Sequence, residues 1–320
     1  MENCLLYDWL NFTLLEDGKW FDEYGESIAD GHVIIELLGM AGVTFQVLNG
    51  VRGYSKKLWF DGINIHLPSE TQHNVWLEMS GSGCRAFETY GHGDWEKLFS
   101  FALEYCHITR LDVSFDDHSG ILDLRTLFMD TYFDRAYVCR ANKHEVNLSW
   151  DDRTGDDGST VYHGTRQSNT LVRIYDKAKQ LKHEGEHWVR VEMELHEENA
   201  SDFMRLEGEI GAKWCGILLN YLRYVEPDAN DGNRWRWPLK SYWSELVAQA
   251  EPIKWPKKPG VEYNMMHVDS YVFGQAGNSI RTYIEVFGVD AFLTRLKETI
   301  PAMVPEKYKK LIEESKRVQK

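Results

Sequence analysis

Several features that mark common protein classes are missing from this sequence. Its five cysteines (Cys4, Cys84, Cys106, Cys139 and Cys215) are odd in number, scattered in spacing and never arranged as CxxC. That argues against a disulfide framework and against a zinc ligand set, and fits free thiols in a reducing compartment. No run approaches the ~20 apolar residues of a membrane helix, so no membrane association is expected. The opening stretch MENCLLYDWLNF is acidic and has no basic n-region, so no secretory signal is expected either. GxSxG is absent, and so is a Gly-rich loop carrying the Walker lysine, which excludes the usual readings of serine hydrolase and P-loop NTPase. Positive charge is in deficit: 36 Lys and Arg stand against 50 Asp and Glu, a net charge of −14. A chain of that balance lacks a global field attractive to nucleic acid. Any phosphate-binding surface must be local, or its acidic residues must be partly neutralised by divalent cations.

Apolar residues are plentiful. Hydrophobic residues make up 43% of the chain and aromatics 13%, enough for a packed core in 320 residues. Residues 5–13 read as a strand, and 29–40 as a short helix with Asp30 as N-cap. From 51 to 90 the runs are strand-like and separated by Gly, Pro and Asn. Helical spacing governs 93–106, where Trp95, Leu98, Phe99, Ala102 and Leu103 share one side. A strand over 107–117, a helix at 121–132, and strands at 137–148 and 159–164 follow. Further segments cover 169–180 and 187–197, with a helix from about 199 to 210. The turn-rich NDGNRWRWP (230–238) marks a boundary. Beyond it SYWSELVAQA reads as helix, a Pro/Lys break spans 252–259, and helices fill about 267 to 318. The expected class is α+β: an antiparallel sheet domain with helices packed on one face over 1–245, then a small helical C-terminal region over 246–320.

Three strand-like segments carry the chemistry. In TRLDVSFDD, Leu111, Val113 and Phe115 alternate with Arg110, Asp112, Ser114 and Asp116. In VRVEMEL, Val189, Val191, Met193 and Leu195 alternate with Arg190, Glu192 and Glu194. In TLVRIYDK, Val172 and Ile174 alternate with Arg173, Tyr175 and Lys177. Side chains two residues apart share a face of a strand. If the three strands are neighbours, one sheet face collects up to four carboxylates, several cations and a tyrosine. Clustered carboxylates repel one another unless something positive lies among them, and Mg²⁺ or Mn²⁺ prefers such oxygen ligands. That setting suits metal-assisted phosphoryl transfer with a tyrosine nucleophile. Arg173 and Lys177, flanking Tyr175, are placed to contact phosphate and to lower the phenol pKa from its ordinary ~10. Taken singly, each segment reads as an ordinary solvated sheet face, and a strand tyrosine is usually structural. Only their combination points to a site. Elsewhere SGSGC (80–84) is either a phosphate-cradling turn or simply a turn. His107, His118, His144 and His163 read as structural or surface residues, although His163 is close enough in sequence to Tyr175 to reach the site. The basic tail KYKKLIEESKRVQK reads as a solvated helix face or as a DNA or partner contact.

Six ordered segments resemble the Rep_trans family of replication initiation factors. They are YDWLNFT near the start, LEMSGSGCRAFE (77–88), ITRLDVSFDD (108–117), TVYHGTRQSNTLVRIYDKAKQ (160–180), WVRVEMEL (188–195) and WRWPLKSYW (235–243), together covering about residues 5–245. The resemblance implies a rolling-circle initiator that nicks one DNA strand through a covalent 5′-phosphotyrosine, with Tyr175 as nucleophile. It implies metal ligands at Asp112 and Glu192 first, then Asp116 and Glu194, and a Mg²⁺ or Mn²⁺ cofactor. Arg173, Lys177 and Arg166 would hold the scissile phosphate or its flanks, with Arg110 and Arg190 as further phosphate contacts. The implied partners are origin DNA, single-stranded or as an extruded hairpin, and a host helicase of the Rep/PcrA/UvrD type. A homodimer and a bacterial cytoplasmic location fit the same resemblance. Two rival readings share the fold: a relaxase of a conjugative or integrative element, and a catalytically silent DNA-binding regulator. A third, a nuclease that uses water instead of tyrosine, predicts no protein attached to DNA.

Overall fold

The computed structural model describes residues 2–15, 31–152, 155–183, 185–251 and 277–299. Two compact units divide between Pro259 and Gly260. The first is built on a ten-stranded sheet in the order β2-β3-β4-β5-β1-β6-β11-β10-β9-β8, in which every pairing is antiparallel. The strands are β1 (Cys4–Leu14), β2 (Gln46–Asn49), β3 (Lys56–Phe60), β4 (Ile63–Leu67), β5 (Trp76–Met79), β6 (Cys106–Asp117), β8 (His144–Asp151), β9 (Gly155–His163), β10 (Thr170–Asp176) and β11 (Val189–His196). A separate pair joins β7 (Tyr137–Cys139) to β12 (Leu222–Tyr224). The helices are α1 (His32–Leu37), α2 (Gly81–Tyr90), α3 (Trp95–Tyr105), α4 (Leu124–Tyr132), α5 (Lys177–Gln180), α6 (Glu197–Arg205), α7 (Ile210–Tyr221) and α8 (Ser241–Ala250). In the second unit, α9 (Gly277–Phe287) and α10 (Val289–Thr299) are helical. This is the α+β architecture that the alternating patterns imply.

The period-two pattern explains the layering. Leu111, Val113 and Phe115 of β6, with Val191 and Met193 of β11, are fully buried on one sheet face. Helices cover that face: Tyr7 of β1 meets Phe99 of α3 and Phe203 of α6, and Phe115 stacks on Trp214 of α7. Asp94, accepting the Lys97 N–H at 3.0 Å, caps α3 where the helical spacing begins.

Three expectations need amendment. Asp30 lies outside the described residues, as do the 252–259 break and the tail KYKKLIEESKRVQK; the residue preceding α1 is Gly31. The SGSGC segment is not a turn between strands but the start of α2. Its glycines allow close packing: a Cβ on Gly81 would lie 2.5 Å from Asp8 Oδ1, and one on Gly83 would lie 2.4 Å from the Gly62 carbonyl. The turn-rich 230–238 stretch is stitched to the β7–β12 pair, where Arg234 donates to the Tyr137 carbonyl at 2.7 Å and Val225 bridges Leu239. Beyond that stretch, α8 sends Trp243, Leu246 and Ala250 into the same core.

One buried acid of the core makes stability depend on pH. Glu88 of α2 accepts hydrogen bonds from Arg85 at 2.5 Å and from Trp95 Nε1 at 3.0 Å. Burial nevertheless pushes its carboxyl up to about 7 against the pull of Arg85. Because the folded pKa exceeds the unfolded one, folding takes up a proton. The associated stability is complete below about 4.5 and is lost as pH rises through about 7. Relative to Glu88→Gln, the wild-type protein should therefore lose on the order of 2 kcal/mol between about pH 5 and pH 8. Paired urea titrations at the two pH values check this; an unchanged difference contradicts it.

Candidate active site

The strands β6, β11 and β10 are neighbours, as the alternation requires. Register sets Asp116 beside Arg190 and Arg190 beside Tyr175. Ser114 lies beside Glu192 and Glu192 beside Arg173, while Asp112 lies beside Glu194. Three polar rows thus cross the face opposite the helices. The hairpin between β10 and β11 fixes the tyrosine end. Asp176 caps α5 by accepting the Lys179 N–H at 2.9 Å, and the Lys177 N–H donates to the Trp188 carbonyl at 2.8 Å.

Glu192 is the centre of the arrangement and is 1% exposed. Its Oε2 accepts the Tyr175 hydroxyl at 2.8 Å, and its Oε1 accepts from Arg173 Nη2. Tyr175 is 8% exposed. The Arg173 guanidinium lies 5.8 Å and the Lys177 ammonium 5.7 Å from its ring centroid. Both cations therefore flank the ring, yet the phenol pKa is not lowered. Burial raises it well above the usual range, and the adjacent Glu192 charge adds to the shift. Burial likewise lowers Lys177, with Arg190 acting in the same direction. The expectation that two cations would activate the phenol omitted desolvation and the carboxylate hydrogen-bonded to it.

Asp112, Glu192 and Glu194 are all buried, and one carboxylate oxygen of each lies within 4.8 Å of the others. Arg110 closes one side, donating to Asp112 at 2.8 and 2.6 Å and to Glu194 at 2.8 Å, with its guanidinium over the Trp9 ring at 4.6 Å. His196 Nε2 lies 2.8 Å from Glu194 Oε1. Burial raises Asp112 above the usual carboxylate range, and repulsion from Glu192 and Glu194 opposes the pull of Arg110. Burial works against Glu192 too, but Arg173 and the two hydrogen bonds hold it below its ordinary value. Glu194 is also held low against burial, through His196 and Arg110. The fully buried Ser114 hydroxyl beside Glu192 has no hydrogen-bond partner among the described residues. An oxygen-only donor set with an excess buried carboxylate and an orphaned hydroxyl fits a hard divalent cation.

The other expected site residues are placed differently. Asp116 is outside the trio: the Arg190 fork grips it at 2.6 and 2.7 Å. The third Arg190 nitrogen donates to Asp8 at 2.6 Å. At 4% exposure and with both acids engaged, Arg190 offers no surface to a phosphate, contrary to the role expected of it. Arg110 is committed to Asp112 and Glu194, so it too is a neutralising group here. Arg166 is exposed on the turn between β9 and β10 and is not brought into the cluster. Asp8 escaped the sequence reading because a register shift between Tyr7 and Trp9 turns it out of the β1 alternation. Ser114 and His196 continue the polar faces of β6 and β11, and that continuation was the signal for them. His163 lies on the other face, paired with Val172, so it does not reach Tyr175.

Comparison with known proteins agrees with this fold. Residues 106–300 match the family described as replication initiation factor, and residues 28–102 match the rolling circle replication initiation protein N-terminal domain. The chain belongs to the replication initiation factor family. It is 25% identical over 232 residues to "Putative DNA relaxase NicK" of Bacillus subtilis (strain 168), a match covering 67% of this chain and 65% of that protein's length. It also resembles the solved rolling circle replication initiator protein from Geobacillus stearothermophilus. There the TM-score is 0.71 and the identity 27%, over 80% of this chain and all of the other.

Proposed function

We propose that this protein initiates rolling-circle replication by nicking and rejoining one strand of origin DNA, with Tyr175 as the nucleophile. The observation that carries the reading is the Tyr175 hydroxyl donating to Glu192 Oε2 beside a trio of buried carboxylates. Glu192 takes the phenol proton as the Tyr175 oxygen bonds to phosphorus. The P–O3′ bond breaks, the 3′ oxygen takes a proton from solvent and leaves as a hydroxyl able to prime synthesis, and the 5′ phosphate stays on the tyrosine. Arg173 and Lys177, close to the ring, hold the phosphate. Asp112, Glu192 and Glu194 would hold Mg²⁺ or Mn²⁺, which when bound polarises a phosphodiester oxygen. With a net charge of −14, the protein grips DNA through this local cluster and its flanks, not through a global field.

Residues 1–245 carry this chemistry in our reading, and 246–320 form a helical auxiliary region. The cellular setting is the bacterial cytoplasm, with a helicase of the Rep/PcrA/UvrD type to unwind the nicked duplex and a homodimer as the working assembly. No helix among the described residues is long and apolar enough to cross a membrane. The match to a named relaxase supports a second reading, in which the same chemistry serves transfer of a mobile element.

The test is incubation with end-labelled single-stranded origin DNA and Mn²⁺, followed by a denaturing gel. A covalent adduct forms, and a chelator prevents it. Glu192→Gln keeps the fold but lowers the rate by roughly 10²–10⁴-fold, as loss of a proton acceptor does. Full activity in Glu192→Gln overturns the assignment of the acceptor.

A further inference from the structure

A second cluster of ligating side chains lies away from the polar face, between the end of β7 and the β8–β9 hairpin. Cys139 ends β7, His144 opens β8 and His163 ends β9. The two histidines are cross-strand partners, and the short chain between 139 and 144 returns Cys139 to them. One ligand atom of each residue lies within 4.8 Å of the others. The spacing of these residues follows no zinc motif, so nothing in the linear pattern marks the cluster.

The hydrogen bonds around His163 define its tautomer. Thr131 Oγ1 donates to the Leu127 carbonyl at 2.7 Å, so it accepts from the Tyr224 hydroxyl, also at 2.7 Å. With its own proton given to Thr131, Tyr224 accepts from His163 Nε2 at 2.9 Å. His163 therefore carries its proton on Nε2 and aims an Nδ1 lone pair at His144 Nδ1, 2.9 Å away. An imidazole anchored through its outer N–H, with the lone pair of the other nitrogen directed into the cluster, is the usual state of a metal-ligating histidine. Tyr137 meets both imidazole rings edge-on, at 4.8 and 5.0 Å, and holds their orientation. Outside the cluster is an open cleft of about 1170 Å³, lined by Cys139, Asn142, Lys143, His144 and Arg234 among others.

The geometry points to a zinc-class divalent cation held by Cys139 Sγ, His144 and His163 Nδ1, with a fourth position open to the cleft. One sulfur and two imidazole nitrogens suit Zn²⁺ and are poor ligands for Mg²⁺. Bonds of ~2.0–2.3 Å to nitrogen and sulfur place tetrahedral ligand atoms roughly 3.3–3.8 Å apart, so the side chains need only a small adjustment. Binding releases the Cys139 thiol proton to solvent and forms a metal–thiolate bond, with no change of oxidation state. The ion ties the β7–β12 pair to the β8–β9 hairpin. This site is independent of the Asp112, Glu192 and Glu194 cluster, and its donors are of a different kind.

Cobalt is the probe, because a thiolate ligand gives Co²⁺ an intense near-ultraviolet absorption that oxygen ligands do not. The metal-stripped full-length protein, titrated anaerobically with Co²⁺, should show this absorption saturating at one equivalent, and Zn²⁺ should displace it. Cys139→Ser should lose the absorption. His144→Ala, at a half-buried position that spares the core, should weaken Co²⁺ binding at least ~10-fold while circular dichroism stays native. Asp112→Asn should retain the full signal, which separates this site from the carboxylate cluster. Absence of thiolate absorption in the wild-type protein, or its persistence in Cys139→Ser, overturns the proposal.

Discussion

Tyr175→Phe should abolish covalent attachment to DNA and lower strand cleavage by roughly 10³-fold or more, as removing a nucleophile does. The substitution deletes one hydroxyl and leaves the ring in its place between Arg173 and Lys177. Glu192 keeps its bond from Arg173, so the carboxylate remains paired. The cost to stability is that of one hydrogen bond, about 1 kcal/mol. Loss of activity without loss of fold is thus the expected signature, read by a denaturing gel beside a urea melt. Cleavage that survives in Tyr175→Phe without an adduct would instead favour attack by water on the same carboxylate platform.

Arg190→Met should have the largest effect on stability. The residue is 4% exposed, and its side chain is the shared partner of Asp116 and Asp8. Methionine fills similar space but leaves two acids without their cation in a buried setting. Removing one partner of a buried ion pair costs about 3–5 kcal/mol, a large part of the ~5–15 kcal/mol that holds a domain together. Burial already raises Asp8 above the ordinary carboxylate range, with Arg190 as the main opposing influence. Without Arg190, Asp8 should rise further, so the variant should be least handicapped at low pH, where a proton replaces the guanidinium. Urea midpoints near pH 5 and pH 8 check this. A loss below 1 kcal/mol at both would mean that water reaches the acids and that Arg190 is not their structural partner.

Alternation was the most informative signal in the sequence, and it was informative because strand geometry is rigid. Arg110, Asp112, Arg173, Tyr175, Glu192 and Glu194 share a face because their strands are neighbours. The pairing of charges on that face was not legible. Arg190 looked like a phosphate contact and is instead the counter-ion of Asp116 and Asp8, because partners across strands depend on register, which a single strand does not reveal. Asp8 was hidden by the β1 register shift, which breaks the pattern that would have exposed it. The phenol pKa went the opposite way from expectation because sequence lists neighbouring charges but not desolvation. Helix α7 was missed as well: Ile210, Trp214, Cys215 and Leu218 are buried in a largely apolar segment with little contrast between its faces. His144 and His163 come together only through the β8–β9 pairing, with Cys139 brought in from the end of β7, and their linear spacing carries no trace of it.

The Tyr175–Glu192 contact also bears on control of the chemistry. In the proposed reaction the Tyr175 phenol starts protonated and buried, hydrogen-bonded to Glu192, so attack would require charge to be rearranged around that carboxylate.

The attachment point itself is the most direct test. After reaction with a short origin oligonucleotide and Mn²⁺, the adduct is digested with nuclease and trypsin and analysed by tandem mass spectrometry. Cleavage after Arg173 and Lys177 releases the peptide Ile174–Lys177, which contains one tyrosine. The nucleotide mass is expected on Tyr175 of that peptide, linked through a 5′ phosphate. A nucleotide on Tyr162 or any other residue, or cleaved DNA with no modified peptide, would contradict the account.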